Sequence, residues 1–198
     1  MIPYSERFPT VGKAFQVDLG RRILNYVPTA RLDHDVARSQ SNDPQIRWGV
    51  LTHVIRVVDT QNVYYPSSEN IVYCASILNK LARIPRDDLM LITYLATDLL
   101  DPRYPFTARE LAARALKDAA WHEGPHTRSV VSAVVGVHTD TTPDMRLSFI
   151  RALYASFRHS PDLVKTPTVR HFLEEACNDQ NSFVANRARK ELGRIFLV

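Results

Sequence analysis

The sequence contains one string that matches a known catalytic pattern, His122-Glu123-Gly124-Pro125-His126. A zinc protease needs both histidines of such a string on one face of a single helix, with the glutamate beside the metal-bound water. Pro125 cannot donate a backbone hydrogen bond and interrupts a helix. We therefore interpret the string as the end of a helix followed by a turn. A metal-dependent hydrolase at His122, Glu123 and His126 is the weakest of three functional hypotheses.

Other residues that carry chemistry are scattered along the chain. The two cysteines, Cys74 and Cys177, are far apart among apolar neighbours, which is typical of reduced core thiols. Glycine-rich phosphate-binding loops and serine-nucleophile motifs are missing from the sequence. We therefore predict a protein that is not an enzyme and that has no catalytic residues, no metal site and no cofactor.

Charge is distributed unevenly. The chain has 25 Lys and Arg residues and 21 Asp and Glu residues, a net charge of +4. Residues 1–101 are neutral in sum, so the whole excess lies in residues 102–198. Arginine is suited to bidentate pairing with carboxylate or phosphate. This balance indicates an acidic partner or nucleic acid, and ordinary intramolecular ion pairs are the structural alternative.

A length of 198 residues predicts one domain or one short repeat array. Residues 1–10 lack the apolar stretch of a signal peptide. The longest apolar stretches, 89–95 and 129–137, are shorter than the roughly 20 residues of a membrane span. We expect no membrane association and an intracellular location, cytoplasmic or nuclear.

Helix signals recur along the chain after an N-terminal extension. Residues 1–43 are predicted to hold a helix at 12–27 and a polar loop at 28–43. Start signals then occur at 43–44, 67–68, 85–88, 107, 142–143, 166–167 and 181–182. We expect Asp87 and Asp88 in the first turn of the third of these helices. The segment 129–137 is rich in β-branched residues, but we predict a helix because it has no second strand to pair with.

The strongest local start signal lies at residues 106–111. Thr107 is expected to cap a helix while Glu110 reaches back, and Phe106 is expected to contact Leu111. This helix is predicted to end near Trp121 or His122, where Gly124 and Pro125 follow.

A repeated core motif organises these helices. Its four copies are spaced 38, 37 and 36 residues apart, counted at their last residue. A period near 37 residues with two antiparallel helices indicates stacked helical hairpins, because one hairpin cannot bury its own apolar face. The copies are Ser76-Ile77-Leu78, Arg114-Ala115-Leu116, Arg151-Ala152-Leu153 and Arg187-Ala188-Arg189.

On these residues the chain resembles the HEAT/armadillo-like family of helical repeats. The segments DLMLITYLATDLLDPRYPFTARELAARALKDAA (88–120) and TVRHFLEEACNDQNSFVANRARKELGRI (168–195) are similar to single HEAT units. The resemblance implies an all-α protein: a right-handed α-solenoid of about four HEAT-like helical hairpins, preceded by an N-terminal helix. The repeat domain would span 44–198, with units 44–84, 85–122, 126–159 and 163–198.

The resemblance also implies a ladder of turn aspartates and second-helix arginines. Its expected members are Asp101 with Arg109, and Asp140 or Asp144 with Arg146. In the last unit Asp179 fits the ladder, but Ser182 stands in place of the arginine.

Our first functional hypothesis is a non-enzymatic scaffold that binds a partner protein or peptide through a solenoid groove, within a larger complex. Its expected anchors are Arg114, Arg151, Arg187, Trp48, Tyr64 and Tyr65. The two tyrosines alternatively fill the seam between the first two hairpins. The alternative hypothesis is binding to the RNA or DNA backbone through Arg114, Arg151, Arg187, Arg189, Lys190 and Arg194. The sequence leaves the oligomeric state open.

Overall fold

The computed structural model describes residues 34, 37–38, 43–59, 68–84, 87–137 and 141–197. These residues form helices and no β-strand, so the all-α prediction is confirmed for this part of the chain. The segment 129–137 lies almost wholly in a helix, as predicted. In order, the helices are α1 Pro44–Asp59, α2 Ser68–Leu81, α3 Leu89–Asp98, α4 Phe106–Ala119, α5 His126–Gly136, α6 Pro143–His159, α7 Pro161–Val164, α8 Pro167–Ala176 and α9 Ser182–Phe196.

Most of the predicted helix starts are confirmed, and local capping explains them. Helices α1 and α2 begin at Pro44 and Ser68. Thr142 accepts a hydrogen bond from the Met145 N–H, and Thr166 and Asn181 cap α8 and α9 in the same way. A side-chain oxygen at this position satisfies an N–H group that has no partner within the helix.

The predicted capping box at the start of α4 is wrong. Pro105 is the residue before the helix, and Thr107 lies inside the first turn. Glu110 accepts a hydrogen bond of 2.7 Å from the Thr142 hydroxyl on the next hairpin. Phe106 is half exposed and not stapled into the core. Glu110 therefore bonds to a residue of the next hairpin and not to the backbone at the start of α4, as the capping box would require.

Two other local predictions are wrong. Asp87 and Asp88 lie in the turn before α3, not in its first helical turn. His34, Ala37 and Arg38 are helical, so the loop predicted at 28–43 is wrong at these residues. The predicted helix at 12–27 lies outside the described residues.

The helices pack in two series. The first helices of the pairs, α1, α3, α5 and α8, contact one another in chain order. The second helices, α2, α4, α6 and α9, do the same, and each first helix also contacts its own second helix. Residues at corresponding positions of the second helices are buried, for example Ala112 in α4, Phe149 in α6 and Ala188 in α9. One apolar core runs through all of these contacts. None of the helices in the described ranges has the length and apolarity needed to span a membrane.

Polar contacts also join successive second helices. Asp118 on α4 accepts hydrogen bonds from Asn79 on α2 and from Arg83, which follows α2. Arg146 on α6 binds Asp179, in the turn before α9, through two hydrogen bonds. These polar side chains connect neighbouring hairpins.

The predicted ladder pairs are therefore partly corrected. Asp101 pairs with Arg103 at 2.9 Å, and this hydrogen bond is the main cause that lowers the pKa of Asp101. The charge of its predicted partner, Arg109, also lowers this pKa. Asp144 pairs with Arg114 and not with Arg146. Arg146 reaches forward to the turn of the next hairpin. Asp140 lies outside the described residues.

Candidate interaction surface on the second helices

The second helices carry the positive charge of the array. Together α2, α4, α6 and α9 contain eleven Lys or Arg residues and five Asp or Glu residues. The first helices α1, α3, α5 and α8 contain four of each kind. Six of these cations and two of these acids are exposed, so the solvent-facing side of the second helices is the cationic side, and we call it the second-helix face.

The helix starts correct the alignment of the repeats. The second helices begin 38, 37 and 39 residues apart. Lys190 thus occupies the place in α9 that Arg114 has in α4 and Arg151 has in α6. Arg187 lies three residues before that place, so its predicted alignment with Arg114 and Arg151 is wrong. The buried Ala188 fits the predicted alignment as well as Glu191 fits the new one, but Arg189 is exposed where the predicted alignment matches it to the buried Leu116 and Leu153, which favours the new alignment.

The aligned cations differ in their partners. Arg114 forms a 3.2 Å ion pair with Asp144, and the two side chains are 44% and 60% exposed. An ion pair this exposed contributes about 0–1 kcal/mol, so it exchanges readily for another anion. Arg151 and Lys190 are exposed and form no ion pair with another described residue. These two cations are the most accessible members of the predicted set.

The other predicted cations of α9 are engaged within the chain. Arg187 and Arg194 both contact the carboxylate of Glu191, which is fully buried. Arg189 donates a hydrogen bond of 2.7 Å to the Cys177 carbonyl at the end of α8. These arginines stabilise the last hairpin and have fewer donors left for a ligand.

Two aromatic side chains missed by the sequence analysis belong to this surface. The Arg158 guanidinium lies over the Trp121 ring at 5.5 Å, and the Arg194 guanidinium lies over the Tyr154 ring at 5.1 Å. Trp121 is 42% exposed. Trp121 lies in the turn after α4, seven residues after Arg114, and Arg158 lies seven residues after Arg151 on α6, so this equal spacing was a usable signal for Trp121.

Three of the predicted anchors are aromatic residues. Tyr64, Tyr65 and the side chain of Trp48 lie outside the described residues. Arg114, Arg151 and Lys190 therefore lie at equivalent positions of successive second helices, and Trp121 and Tyr154 each contact an arginine of these helices.

The zinc-protease string spans two different elements. His122 lies in the turn after α4, and His126 begins α5. The Nε2 atom of His126 lies 3.0 Å from the Ala119 carbonyl oxygen. Burial lowers the pKa of His126. These contacts give His126 a structural role at the joint between α4 and α5.

The remaining reactive groups are also placed structurally. Both cysteines are free thiols, and burial raises the pKa of Cys74 and of Cys177. A raised thiol pKa makes a cysteine a poor nucleophile at neutral pH. Among the described residues, no group of three His, Cys, Asp or Glu side chains is arranged to hold a metal ion.

No protein-family model, no curated protein and no solved structure significantly matches the chain.

Proposed function

We propose that the chain is a non-enzymatic interaction module built as a right-handed α-solenoid of about four HEAT-like hairpins. The order of packing supports this architecture, because first helices contact first helices and second helices contact second helices along the chain. Such stacking buries a continuous core and lines one face of the array with equivalent helices.

The module binds an acidic segment of a partner protein through the second-helix face. The observation that carries this proposal is the charge of the second helices, eleven cationic residues against five acidic ones. Arg151 and Lys190 supply accessible charge, and Trp121 and Tyr154 supply flat rings beside it. Tryptophan, tyrosine and arginine are the residues that most often dominate the energy of protein interfaces.

Pairing within the chain favours a peptide over a nucleic acid. Arg114, Arg187 and Arg194 are each bound to a carboxylate, and Arg189 is bound to a backbone carbonyl. Binding along a phosphate backbone draws on many cations at once. A short acidic segment needs only a few.

Nucleic-acid backbone binding is the second candidate, and the aligned cations Arg114, Arg151 and Lys190 favour it. It predicts an affinity that falls steeply with salt, by a slope close to the number of phosphates neutralised. An acidic peptide with few carboxylates has a shallower dependence.

The test is a fluorescence anisotropy titration at low salt with two probes, a labelled oligoglutamate and a labelled single-stranded RNA. We expect the oligoglutamate to bind and the double variant Arg151→Gln/Lys190→Gln to weaken binding about tenfold, because each lost ion pair removes a charge-assisted contact. Arg128→Gln is the matched control, since Arg128 is an exposed arginine on the first helix α5.

The titration distinguishes three outcomes. Weaker binding in the double variant alone supports the proposal. Binding of the RNA without binding of the oligoglutamate replaces the proposal with the second candidate. Retention of neither probe contradicts both.

A further inference from the structure

Helix α6, the third of the four second helices, presents two exposed arginines with a tyrosine between them. Arg151 and Arg158 lie seven residues apart on α6, which places them on one face about 10 Å apart along the helix axis. Tyr154 lies between them on nearly the same face. Both arginines are exposed, and neither forms an ion pair with another described residue. We call these three residues the α6 line.

Most acids on the neighbouring second helices contact a cation, and Glu110 on α4 instead accepts a hydrogen bond from the Thr142 hydroxyl. Asp118 on α4 contacts Arg83 and Lys117. The Asp144 carboxylate at the start of α6 contacts Arg114. Glu191 on α9 is held by two arginines, as described above. The contacts of these carboxylates go to residues outside the α6 line, which therefore offers its positive charge to a ligand.

An amphipathic helix is a poor ligand for this surface. Such a helix binds by laying an apolar stripe into an apolar groove. The large apolar side chains exposed in the described part of the chain are Phe106, Trp121, Phe183 and Leu197, and they come from separate helix ends or loops. Of these, Trp121 contacts the α6 line, through Arg158. This surface offers cationic groups and aromatic rings, and an extended segment can contact both.

Spacing selects one kind of extended segment. In a polyproline II helix, residues i and i+3 lie on the same side about 9 Å apart. This is close to the rise of about 10 Å along the α6 axis from Arg151 to Arg158. In a β-strand, same-side residues lie about 7 or 13 Å apart, which fits less well. Proline rings between the acidic residues pack well on aromatic side chains. Tyr154 and Trp121 supply such side chains beside the two arginines.

We infer that the α6 line binds an extended acidic segment in the polyproline II conformation, with carboxylates three residues apart on Arg151 and Arg158. This inference rests on the proposed function and names its ligand class. One carboxylate pairs with Arg151, the next pairs with Arg158, and the residues between them pass the exposed part of Tyr154, whose ring is covered on one face by Arg194. Trp121 borders the Arg158 end of the site.

The experiment compares two labelled peptides of identical composition, made only of glutamate and proline. In the first, glutamate occupies every third position. In the second, the glutamates are clustered at the two ends. Fluorescence anisotropy is measured with the wild-type chain, with Arg151→Gln, with Arg158→Gln and with the control Arg128→Gln.

We expect the wild type to bind the every-third peptide about tenfold more tightly, because only that peptide pairs with both arginines at once. Either α6 variant removes this preference, while Arg128→Gln retains it. Circular dichroism of each variant checks that the helices are intact.

Failure of the inference is distinguishable from failure of the proposed function. Equal affinity of both peptides, with weaker binding of both in Arg151→Gln, overturns the spacing and leaves the acidic-segment function in place. A lack of binding to either peptide overturns both. A preference that survives both variants places the acidic segment elsewhere and overturns the inference.

Discussion

Arg146 and Asp179 form a bidentate ion pair across the boundary between α6 and the turn before α9. The Arg146 Nε atom lies 2.5 Å from Asp179 Oδ2, and Nη2 lies 3.0 Å from Oδ1. The two side chains are 29% and 8% exposed. The carboxylate also accepts a hydrogen bond from the Asn181 N–H, so it links α6 to the start of α9.

We expect Arg146→Gln to lower the free energy of unfolding by about 2 kcal/mol, because it leaves the largely buried Asp179 carboxylate without its charged donor. Arg114→Gln is the matched control, since its pair with Asp144 is exposed. The control should cost less than about 0.5 kcal/mol. Urea denaturation followed by circular dichroism measures both, and equal losses would show that Arg146 is no more important than a surface arginine.

The stability of the fold should depend on pH through His126. Burial lowers the pKa of His126, and the hydrogen bonds to the Ala119 and His122 carbonyls oppose only part of this shift. The unfolded chain, whose histidine pKa is about 6.5, therefore takes up a proton at a higher pH than the folded chain does. The stabilising contribution is complete above about pH 6.5 and is lost as the pH falls through the lower folded pKa.

We expect His126→Gln to flatten this pH dependence below about pH 6.5, with thermal unfolding as the measurement. Glutamine keeps an N–H donor for the Ala119 carbonyl. The exposed His171 provides the control, and His171→Gln should retain the slope. A slope that is unchanged in His126→Gln would assign the pH dependence to other groups.

Gly124 and Gly193 should respond in opposite directions to alanine. A Cβ atom on Gly124 would lie 2.8 Å from Nδ1 and 2.9 Å from Cε1 of the buried His126 ring, so the ring must move. We expect Gly124→Ala to cost about 1–2 kcal/mol. Gly193 lies inside α9 with open space around the added carbon, and Gly193→Ala should stabilise the fold by up to about 1 kcal/mol. Chemical denaturation curves of the two variants test the opposite signs.

The contact between Arg158 and Trp121 should be visible in fluorescence. The chain has two tryptophans, so Trp48→Phe leaves Trp121 as the only one. In that background we expect Arg158→Gln to change the emission of Trp121, because the cation leaves the ring face. Arg170→Gln removes a similar contact with Phe196 and should leave the emission unchanged. Identical spectra for all three proteins would contradict the contact.

The helices were predictable where their signals are local. Thr142, Thr166 and Asn181 cap the helices that follow them, and each cap needs only neighbouring residues in the chain. The start of α4 was mispredicted because Glu110 bonds to Thr142, which is 32 residues away. A capping box predicted from the sequence takes no account of a hydrogen-bond donor on another hairpin.

The site was predictable only in part. Arg114 and Arg151 were identified from the repeated motif, but the wider spacing before α9 shifted the last copy to Lys190. Trp121 was missed because its role depends on Arg158, a residue of the next hairpin. Charge on one helix can be counted from the sequence, whereas contacts between helices require knowing which helices are neighbours.

In the proposed solenoid, the unequal charge of the two helix series gives the molecule an electric dipole across its width. The field of such a dipole acts on an approaching anion before any contact forms, and it turns the anion toward the side that carries the excess of arginine and lysine. Association should therefore be faster at low ionic strength than at high ionic strength, while dissociation changes less. A molecule with a modest net charge can thus orient an approaching anion through the distribution of that charge.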